Sequence, residues 1–266
     1  MKEKRHMFGP SVALRSVSAT GAARRLAIAL GLTAVLLASS LPAAAQTPED
    51  PLERFNRGVF TFNQVIDGAF LRPAAVTYRG VVPEYGRERV GNVLSNLLEP
   101  VRFLNAILQG DAEAAGNTFG RFFINTTLGV GGLFDVAANL EPPYAREVNR
   151  GKEFGVTLGR WGWEESTYIV IPLLGPSTVR DGIGLGVDAV STPWFWVFPA
   201  EASWTLTGVG IVHAREGVLD LLDDLERTSL DFYASLRSTY LQNRRFVITG
   251  ETATGDDIFD EFDDLD

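Results

Sequence analysis

Residue types that commonly perform chemistry are scarce in this chain of 266 residues. It contains no cysteine, so these residues offer no disulfide, no thiolate metal site and no cysteine nucleophile. Beyond the first 45 residues the one histidine is His213, which leaves a single candidate for a histidine-based metal site or catalytic triad. A lone histidine near a predicted helix start is more often structural or exposed than catalytic.

Two other patterns could support chemistry, and both fit poorly. Glu164 and Glu165 form a carboxylate pair for a hydrolase, but neighbours in an extended segment are poorly placed to flank one bond. The GVGG sequence at residues 129–132 has no preceding strand and no following Lys-Ser/Thr pair, so it does not match a phosphate-binding loop. Since a G-x-S-x-G elbow is also absent, the sequence predicts no catalytic residue, no metal site and no cofactor.

The N-terminus is typical of an exported protein. Basic residues within residues 1–25 precede an apolar core at residues 26–38, and Ala43-Ala44-Ala45 follows. We therefore predict a signal peptide at residues 1–45, cleaved after Ala45, and one helical domain at residues 46–250. Residues 251–266 contain eight acidic side chains and no basic one, which predicts a solvated, disordered tail.

The charge balance argues against some classes of partner. Beyond residue 45 the chain carries 18 basic and 32 acidic side chains, a net charge of −14. This balance disfavours nucleic acid and anionic lipid headgroups as electrostatic partners.

Residues 119–137 (FGRFFINTTLGVGGLFDVA) are too apolar for a soluble surface and too interrupted for a membrane span. Arg121 and Asn125 break the apolar run, and each of its later glycines weakens a helix by about 1 kcal/mol relative to alanine. A spanning helix needs about 20 mostly apolar residues. The segment therefore predicts a helical body that packs around polar groups and contacts lipid on its outside.

Helical spacing of apolar residues predicts most of the remaining elements. The first helix follows an N-cap at Asp50 and ends at Arg72-Pro73, and its aromatic stripe faces either the core or lipid. The stripe consists of Phe55, Val59, Phe62, Ile66 and Phe70. Further helices are predicted at residues 84–98, 100–109, 112–125, from 179 onward, and 212–245 with a break at Thr228-Ser229.

Three segments predict something other than a long helix. Residues 154–163 alternate glycine with apolar residues, which suggests a small hairpin or mobile loop. Residues 168–174 are β-branched but contain Pro172, so they form at most an edge strand. The aromatic sequence PWFWVFP at residues 193–199, followed by Trp204, is a membrane-interface belt or a core patch.

Seven motifs lie between residues 50 and 182, and the pattern to which they belong extends to about residue 245, over nearly the whole predicted mature chain. They are DPLERFNR at 50–57, Phe62-Asn63, Arg72-Pro73, LQGD at 108–111, RFFINTTLGVGGLFDVA at 121–137, FGVTLG at 154–159 and IPLLGPSTVRDG at 171–182. Together they resemble the MlaA/VacJ family of outer-membrane phospholipid-trafficking proteins.

The resemblance implies a mainly α fold, a single ring-like, membrane-embedded domain of amphipathic helices with a short hairpin. It implies a channel that takes mislocalised outer-leaflet phospholipids toward the periplasm, beside a trimeric porin and with transfer to a soluble MlaC-like carrier. No chemistry on the lipid is implied. A phospholipid has a charged head and two apolar tails, so a conduit needs polar groups inside and apolar groups toward the bilayer.

Residue roles are carried over from the family by position. Phe62, Asn63 and the segment containing Phe154, Gly155 and Gly159 are implied to control gating. The candidates for lining a channel are polar residues of the predicted membrane helices, and each of them could equally bond a neighbouring backbone. These candidates are Asn92, Asn96, Asn105, Arg121 and Asn125.

Two other functions are open at this point, a periplasmic hydrolase of lipid or cell-wall material and a porin-associated scaffold that carries no lipid. Many members of the family are lipoproteins, whereas these residues contain no cysteine. The sequence therefore predicts an outer-membrane protein on the periplasmic side, exported by a cleaved signal peptide and held without a lipoprotein cysteine.

Overall fold

A computed structural model describes residues 50–140 and 151–250 of the chain, and these residues are mainly helical. The predicted signal peptide, the predicted acidic tail and most of the connection at residues 140–150 lie outside the described residues. The helix boundaries follow in chain order. The α-helices are α1 (Glu53–Ile66), α2 (Arg72–Val81), α3 (Glu84–Leu108), α4 (Ala112–Thr127), α5 (Phe154–Arg160), α6 (Val179–Ser191), α7 (Trp194–Val197), α8 (Ala200–Gly217), α9 (Leu219–Thr228) and α10 (Phe232–Thr249). A π-helical turn lies at Asp67–Leu71 and a 3-10 turn at Ala137–Asn139.

Two predicted helix ends at prolines are wrong. Helix α1 continues through the π-helical turn into α2, and this turn lies directly before Arg72-Pro73, where the regular helical hydrogen-bond pattern is interrupted. Helix α3 likewise continues through Pro100, although an interior proline costs about 3 kcal/mol. Buried residues on both sides of it, including Asn96 and Val101, pack α3 against its neighbours and hold the helix together.

The predicted cap at Asp50 is also wrong. Helix α1 begins at Glu53 and has Leu52 at its N-cap, without a side-chain cap. Asp50 is fully buried, accepts a hydrogen bond from the Leu52 N–H and receives the hydroxyl of Tyr233 on α10. Its carboxylate therefore ties the first helix to the last one.

The hairpin lies later in the chain than predicted. Residues 154–159 belong to helix α5, so the prediction of a hairpin or loop there is wrong. Strands β1 (Tyr168–Ile171) and β2 (Gly175–Thr178) pair antiparallel, with Tyr168 opposite Thr178. Strand β1 ends just before Pro172, as the sequence predicts for an edge strand.

The mainly α prediction with one short hairpin is confirmed. The apolar core is small: Tyr168, Val170 and Tyr233 form its buried centre, and residues of α1 and α10 pack around it. Within residues 50–140 and 151–250, no helix combines the length and the apolarity needed to cross a membrane.

Candidate functional site

Helix α4 has an inverted polarity, with polar side chains inside and apolar ones outside. On α4, Arg121 and Asn125 are 2 % and 4 % exposed, whereas Phe119 and Phe123 are 58 % and 61 % exposed. The four positions alternate around one helix, so its polar face packs inward and its aromatic face points outward. Large apolar residues are normally the buried ones in a water-soluble protein. Exposed apolar side chains continue on α1, the π-helical turn, α3, α6 and α7, including Phe62, Phe70, Ile107, Leu185, Val190, Trp196 and Val197.

Arg121 is the centre of a buried ionic network. Its Nη2 donates to both carboxylate oxygens of Asp135 at 2.9 Å, and its Nε lies 3.6 Å from Glu99 on α3. Asn125 donates to Asp135 at 2.9 Å and accepts the Ala137 N–H at 2.9 Å. Burial raises the pKa of Glu99, and the neighbouring Arg102 and Arg121 offset part of that rise. The network joins α3, α4 and the turn after α4.

That turn is built from glycines in left-handed conformations. Gly131 and Gly132 have φ values of 69° and 90°, which only glycine adopts readily. A Cβ on Gly132 would lie 2.4 Å from the Cβ of Asn96, so the absence of a side chain lets the turn touch α3. Asn96 bonds Thr126 at 3.0 Å and Asn92 bonds the Leu133 carbonyl at 3.3 Å.

Asn105 belongs to a second polar cluster, which joins α3 to α5 and α6. It donates to Asp188 at 3.0 Å and accepts from the hydroxyl of Thr157 at 2.9 Å. The second carboxylate oxygen of Asp188 accepts the Phe154 N–H at 2.9 Å, at the start of α5. Burial raises the pKa of Asp188 despite these bonds.

Gly155 and Gly159 are contact positions of a short helix. A Cβ on Gly155 would lie 2.6 Å from Asp181 Oδ1, and one on Gly159 would lie 2.9 Å from Ile248 of α10. On the facing helix α6, a Cβ on Gly184 would lie 2.2 Å from the backbone nitrogen of Gly155. Backbone therefore meets backbone where α5 crosses α6.

We expect Gly184→Ala to lower the free energy of unfolding by about 1–3 kcal/mol, because the added methyl must push two backbones apart. Gly186→Ala is the matched control on the same helix, since its Cβ would meet nothing within 4 Å. Chemical denaturation in detergent, followed by circular dichroism, measures both variants. Equal stabilities of the two would contradict the close crossing.

Asp181 is the centre of a third cluster at the start of α6. Arg244 donates to its two carboxylate oxygens at 2.7 and 2.9 Å, and the Tyr240 hydroxyl donates at 2.7 Å. Burial alone would raise the pKa of Asp181, but the hydrogen bonds from Arg244 and Arg180 outweigh it and hold the pKa at about 2.

The low pKa of Asp181 predicts a pH-dependent contribution to stability. A folded-state pKa below the unfolded one gives stability that is complete above about pH 4 and is lost as the pH falls toward 2. The difference in unfolding free energy between the wild type and Asp181→Asn is expected to shrink by about 2 kcal/mol over that range. Denaturant titrations in detergent at several pH values measure it; a constant difference would contradict the ion-paired carboxylate.

Asn63 is placed under the tip of the hairpin. Its Nδ2 donates to the Ile171 carbonyl at 3.0 Å, and its Oδ1 accepts the Leu173 N–H at 2.7 Å. Leu173 itself has a φ of 66°, an uncommon conformation for a non-glycine residue. Phe62, the residue before Asn63, is 49 % exposed. The side chain of Asn63 thus fixes the turn that joins β1 to β2.

A cavity of about 770 Å³ opens between the start of α3, the turn after α4 and helix α8. Of the predicted channel-lining residues, Asn92 lies in its wall. His213 also lines it, packs on the ring of Tyr78 and comes close to α3 because Gly91 has no side chain. The described ranges contain no group of three or more His, Cys, Asp and Glu residues that could hold a metal ion.

The structure therefore divides the residues singled out in the sequence into three groups. Asn96, Arg121 and Asn125 join α3, α4 and the following turn, whereas Asn105 meets α5 and α6 in a separate cluster. Asn63 lies at the hairpin. Their roles in gating and in lining a channel stay predictions.

Sequence reasoning missed the acidic partners Asp135, Asp181 and Asp188. A signal was available for two of them, since Asp135 and Asp188 interrupt the apolar sequences LFDVA and GVDAV. A carboxylate inside an apolar segment must find a partner when it is buried.

The comparisons with known proteins agree with this architecture. The family model described as MlaA lipoprotein matches residues 48–247. The chain belongs to the MlaA lipoprotein family. The intermembrane phospholipid transport system lipoprotein MlaA of Escherichia coli K12 is 37 % identical over 253 residues, covering 91 % of this chain and 98 % of that protein. The protein of the same name from Haemophilus influenzae is 34 % identical, covering 87 % and 98 %.

A solved structure of the family has the same fold. It is described as "Structural basis for maintenance of bacterial outer membrane lipid asymmetry" and aligns with a TM-score of 0.66 and 40 % identity. The alignment covers 75 % of this chain and 98 % of the other.

One part of the predicted localisation is wrong. The MlaA relatives are named as lipoproteins, which carry a lipid-modified cysteine, and this contradicts the prediction of a protein without a lipoprotein cysteine. The 266 residues contain no cysteine, but that composition does not support the conclusion that the protein lacks an anchor. An outer-membrane location is consistent with the relatives' names.

Proposed function

We propose that this protein is the outer-membrane component of a retrograde phospholipid transport system. It takes mislocalised phospholipids from the outer leaflet, moves them through an amphipathic channel and passes them to a soluble periplasmic carrier similar to MlaC. It acts together with a trimeric porin in the membrane, and the lipid leaves chemically unchanged.

The observation that carries the proposal is the inverted polarity of α3 and α4. Arg121 and Asn125 are buried while Phe119 and Phe123 of the same helix are exposed. In water such an exposed aromatic face would favour aggregation, whereas in a bilayer it contacts acyl chains at no cost. The buried polar groups supply an interior that tolerates a charged headgroup. Relatives named for phospholipid transport add support.

The proposed gate is the hairpin together with Phe62 and Asn63. Asn63 bonds both sides of the turn between β1 and β2, and the exposed Leu173 and Leu174 lie on that turn. Movement of the hairpin tip away from α1 would break those two hydrogen bonds, each worth about 1 kcal/mol. In this proposal Phe154, Gly155 and Gly159 support the gate indirectly, through the packing of α5 against α6 and α10.

The test compares cells that express the protein, in place of their own family member, with cells that lack both. A membrane-impermeant, amine-reactive label applied to intact cells measures aminophospholipid in the outer leaflet. We expect expression to restore a low level of labelling, and deletion of Phe62 and Asn63 to raise it again. Labelling that the protein does not lower would contradict the proposal.

The same assay separates the transport reading from a hydrolase. His213→Ala removes the one histidine beyond the predicted signal peptide, so a histidine-dependent hydrolase would lose its function. Under the transport proposal the variant keeps outer-leaflet labelling low, provided that it folds. A folded but inactive His213→Ala protein that leaves labelling high, together with lysophospholipid production by the wild type alone, would favour the hydrolase.

A further inference from the structure

The 770 Å³ cavity has an unusually charged wall for a space next to an apolar exterior. Glu84, Arg87, Glu88 and Asn92 follow one another at helical spacing on α3, so their side chains share one face. Asp135 and Glu216 complete the charged lining from the turn after α4 and from α8. A polar ligand that carries charges of both signs would fit this wall.

Several of these charges are already paired. Glu216 accepts from Arg79 at 2.8 Å and lies 3.3 Å from Arg87, and Asp135 is held by Arg121. Arg87 also donates to the backbone carbonyls of Arg79 and Val82 at 3.1 and 3.0 Å. These groups fix the shape of the cavity.

Arg89 differs from them. Its guanidinium lies 4.5 Å from the ring centroid of Tyr85 and 5.5 Å from that of Phe134, so two aromatic rings limit its movement. Nη2 donates to Glu88 at 3.0 Å, but the buried Nε has no acceptor among residues 50–140 and 151–250. The Arg89 side chain as a whole is 22 % exposed and lines the cavity, so its guanidinium can give a phosphate there charge-assisted hydrogen bonds.

The exposed carboxylates decide the class of phosphate. Glu84 and Glu88 lie one helical turn apart and line the same cavity as Arg89, and both residues are exposed. They repel an anion that has no cationic group, whereas they accept hydrogen bonds from an ammonium group close to the phosphate.

We propose that this cavity binds the zwitterionic headgroup of an amine-bearing phospholipid, in which Arg89 receives the phosphate and Glu84 and Glu88 receive the ammonium group. The inference rests on the proposed transport function and adds the headgroup class that the protein selects. It assigns to Arg89 and the two glutamates the discrimination between zwitterionic and anionic phospholipids.

The experiment measures binding of short-chain lipids to the full protein in a non-ionic detergent by isothermal titration calorimetry. The probes are dihexanoyl phosphatidylethanolamine and dihexanoyl phosphatidylglycerol, which share the phosphate and the acyl chains, and inorganic phosphate as a third. We expect the wild type to bind the ethanolamine lipid about tenfold more tightly than the glycerol lipid. Glu84→Gln/Glu88→Gln should remove that preference, and Arg89→Gln should weaken binding of both lipids about tenfold.

Arg227→Gln is the matched control, because Arg227 is exposed and pairs with Asp224 on α9 away from the cavity. Equal affinities of the wild type for the two lipids would overturn the inference, as would a preference that survives in the glutamate variant. Binding of inorganic phosphate as tight as that of the ethanolamine lipid would also overturn it. If Arg89→Gln does not fold, Glu84→Gln/Glu88→Gln tests the inference by itself, because its two changes are isosteric and lie at exposed residues.

The outcome is separable from that of the transport proposal. Protein-dependent transfer of both lipids to a carrier at equal rates would overturn the headgroup inference and leave transport standing. Selective binding of the ethanolamine lipid without any transfer would support the headgroup site and contradict transport.

Discussion

Arg121→Met is expected to lower the free energy of unfolding by about 3–5 kcal/mol, the usual cost of removing one partner from a buried ion pair. The substitution leaves the carboxylates of Asp135 and Glu99 buried without the guanidinium that faces them. It also removes the ionic link from the turn after α4 to α3, where the hydrogen bond from Asn92 to the Leu133 carbonyl remains. Urea titration in detergent, followed by tryptophan fluorescence, measures the loss.

Arg102→Met is the control from the same network. Arg102 also bonds Glu99, at 3.1 Å, but its side chain is 27 % exposed, so its removal should cost only about 1 kcal/mol. The double variant Arg121→Met/Asp135→Asn should be more stable than Arg121→Met alone, because the second substitution neutralises the buried carboxylate that the first one leaves unpaired. A loss below about 1 kcal/mol for Arg121→Met would mean that the buried network does not hold the polar interior together.

Asn63→Leu is expected to raise outer-leaflet phospholipid nearly as far as loss of the protein does. Leucine has a similar size but cannot bond the Ile171 carbonyl or the Leu173 N–H, the two bonds that fix the hairpin turn. Losing two hydrogen bonds of about 1 kcal/mol each raises the population of a detached hairpin about 30-fold. Amine-reactive labelling of intact cells measures the effect.

Thr61→Val is the neighbouring control for that measurement. The Thr61 hydroxyl bonds the Arg57 carbonyl within its own helix and is exposed, so its loss leaves the hairpin bonds intact. We expect wild-type labelling for Thr61→Val at an equal protein level. High labelling in both variants, or in neither, would contradict a specific role for Asn63.

Local sequence signals predicted the elements that depend on neighbouring residues. The predicted helix at residues 112–125 begins at Ala112, where Asp111 accepts the Ala114 N–H, and α9 ends at Thr228, at the predicted break. Strand β1 ends before Pro172. Each of these depends on hydrogen bonds or steric limits within a few residues, which a single sequence contains.

Contacts between distant segments were not predictable in the same way. Asn63 meets the hairpin across 108 residues, and Asn105 meets Asp188 across 83 residues. The helix through Pro100 persists because tertiary packing outweighs a local preference. Likewise, the aromatic stripe of α1 has the same period whether it faces a core or lipid, so spacing alone could not assign the exposed Phe62 and Phe70 to the outside.

The same reason explains the error at residues 154–159. Gly155 and Gly159 weaken a helix in isolation, which favours a loop interpretation. In the folded chain they permit α5 to touch α6 and α10 at distances that a Cβ would prevent. Glycine therefore serves close packing here, which the sequence shows only once the partner helices are known.

Reconstituted transfer shows whether the protein delivers intact phospholipid from the outer membrane to a soluble carrier. Vesicles that contain the purified protein, a trimeric porin and isotope-labelled phosphatidylethanolamine are incubated with an MlaC-like carrier, which is re-isolated and analysed by mass spectrometry. We expect intact labelled phospholipid on the carrier, in an amount that depends on the protein and falls in Asn63→Leu. Carrier without labelled lipid, or carrier loaded with a cleaved product, would contradict it.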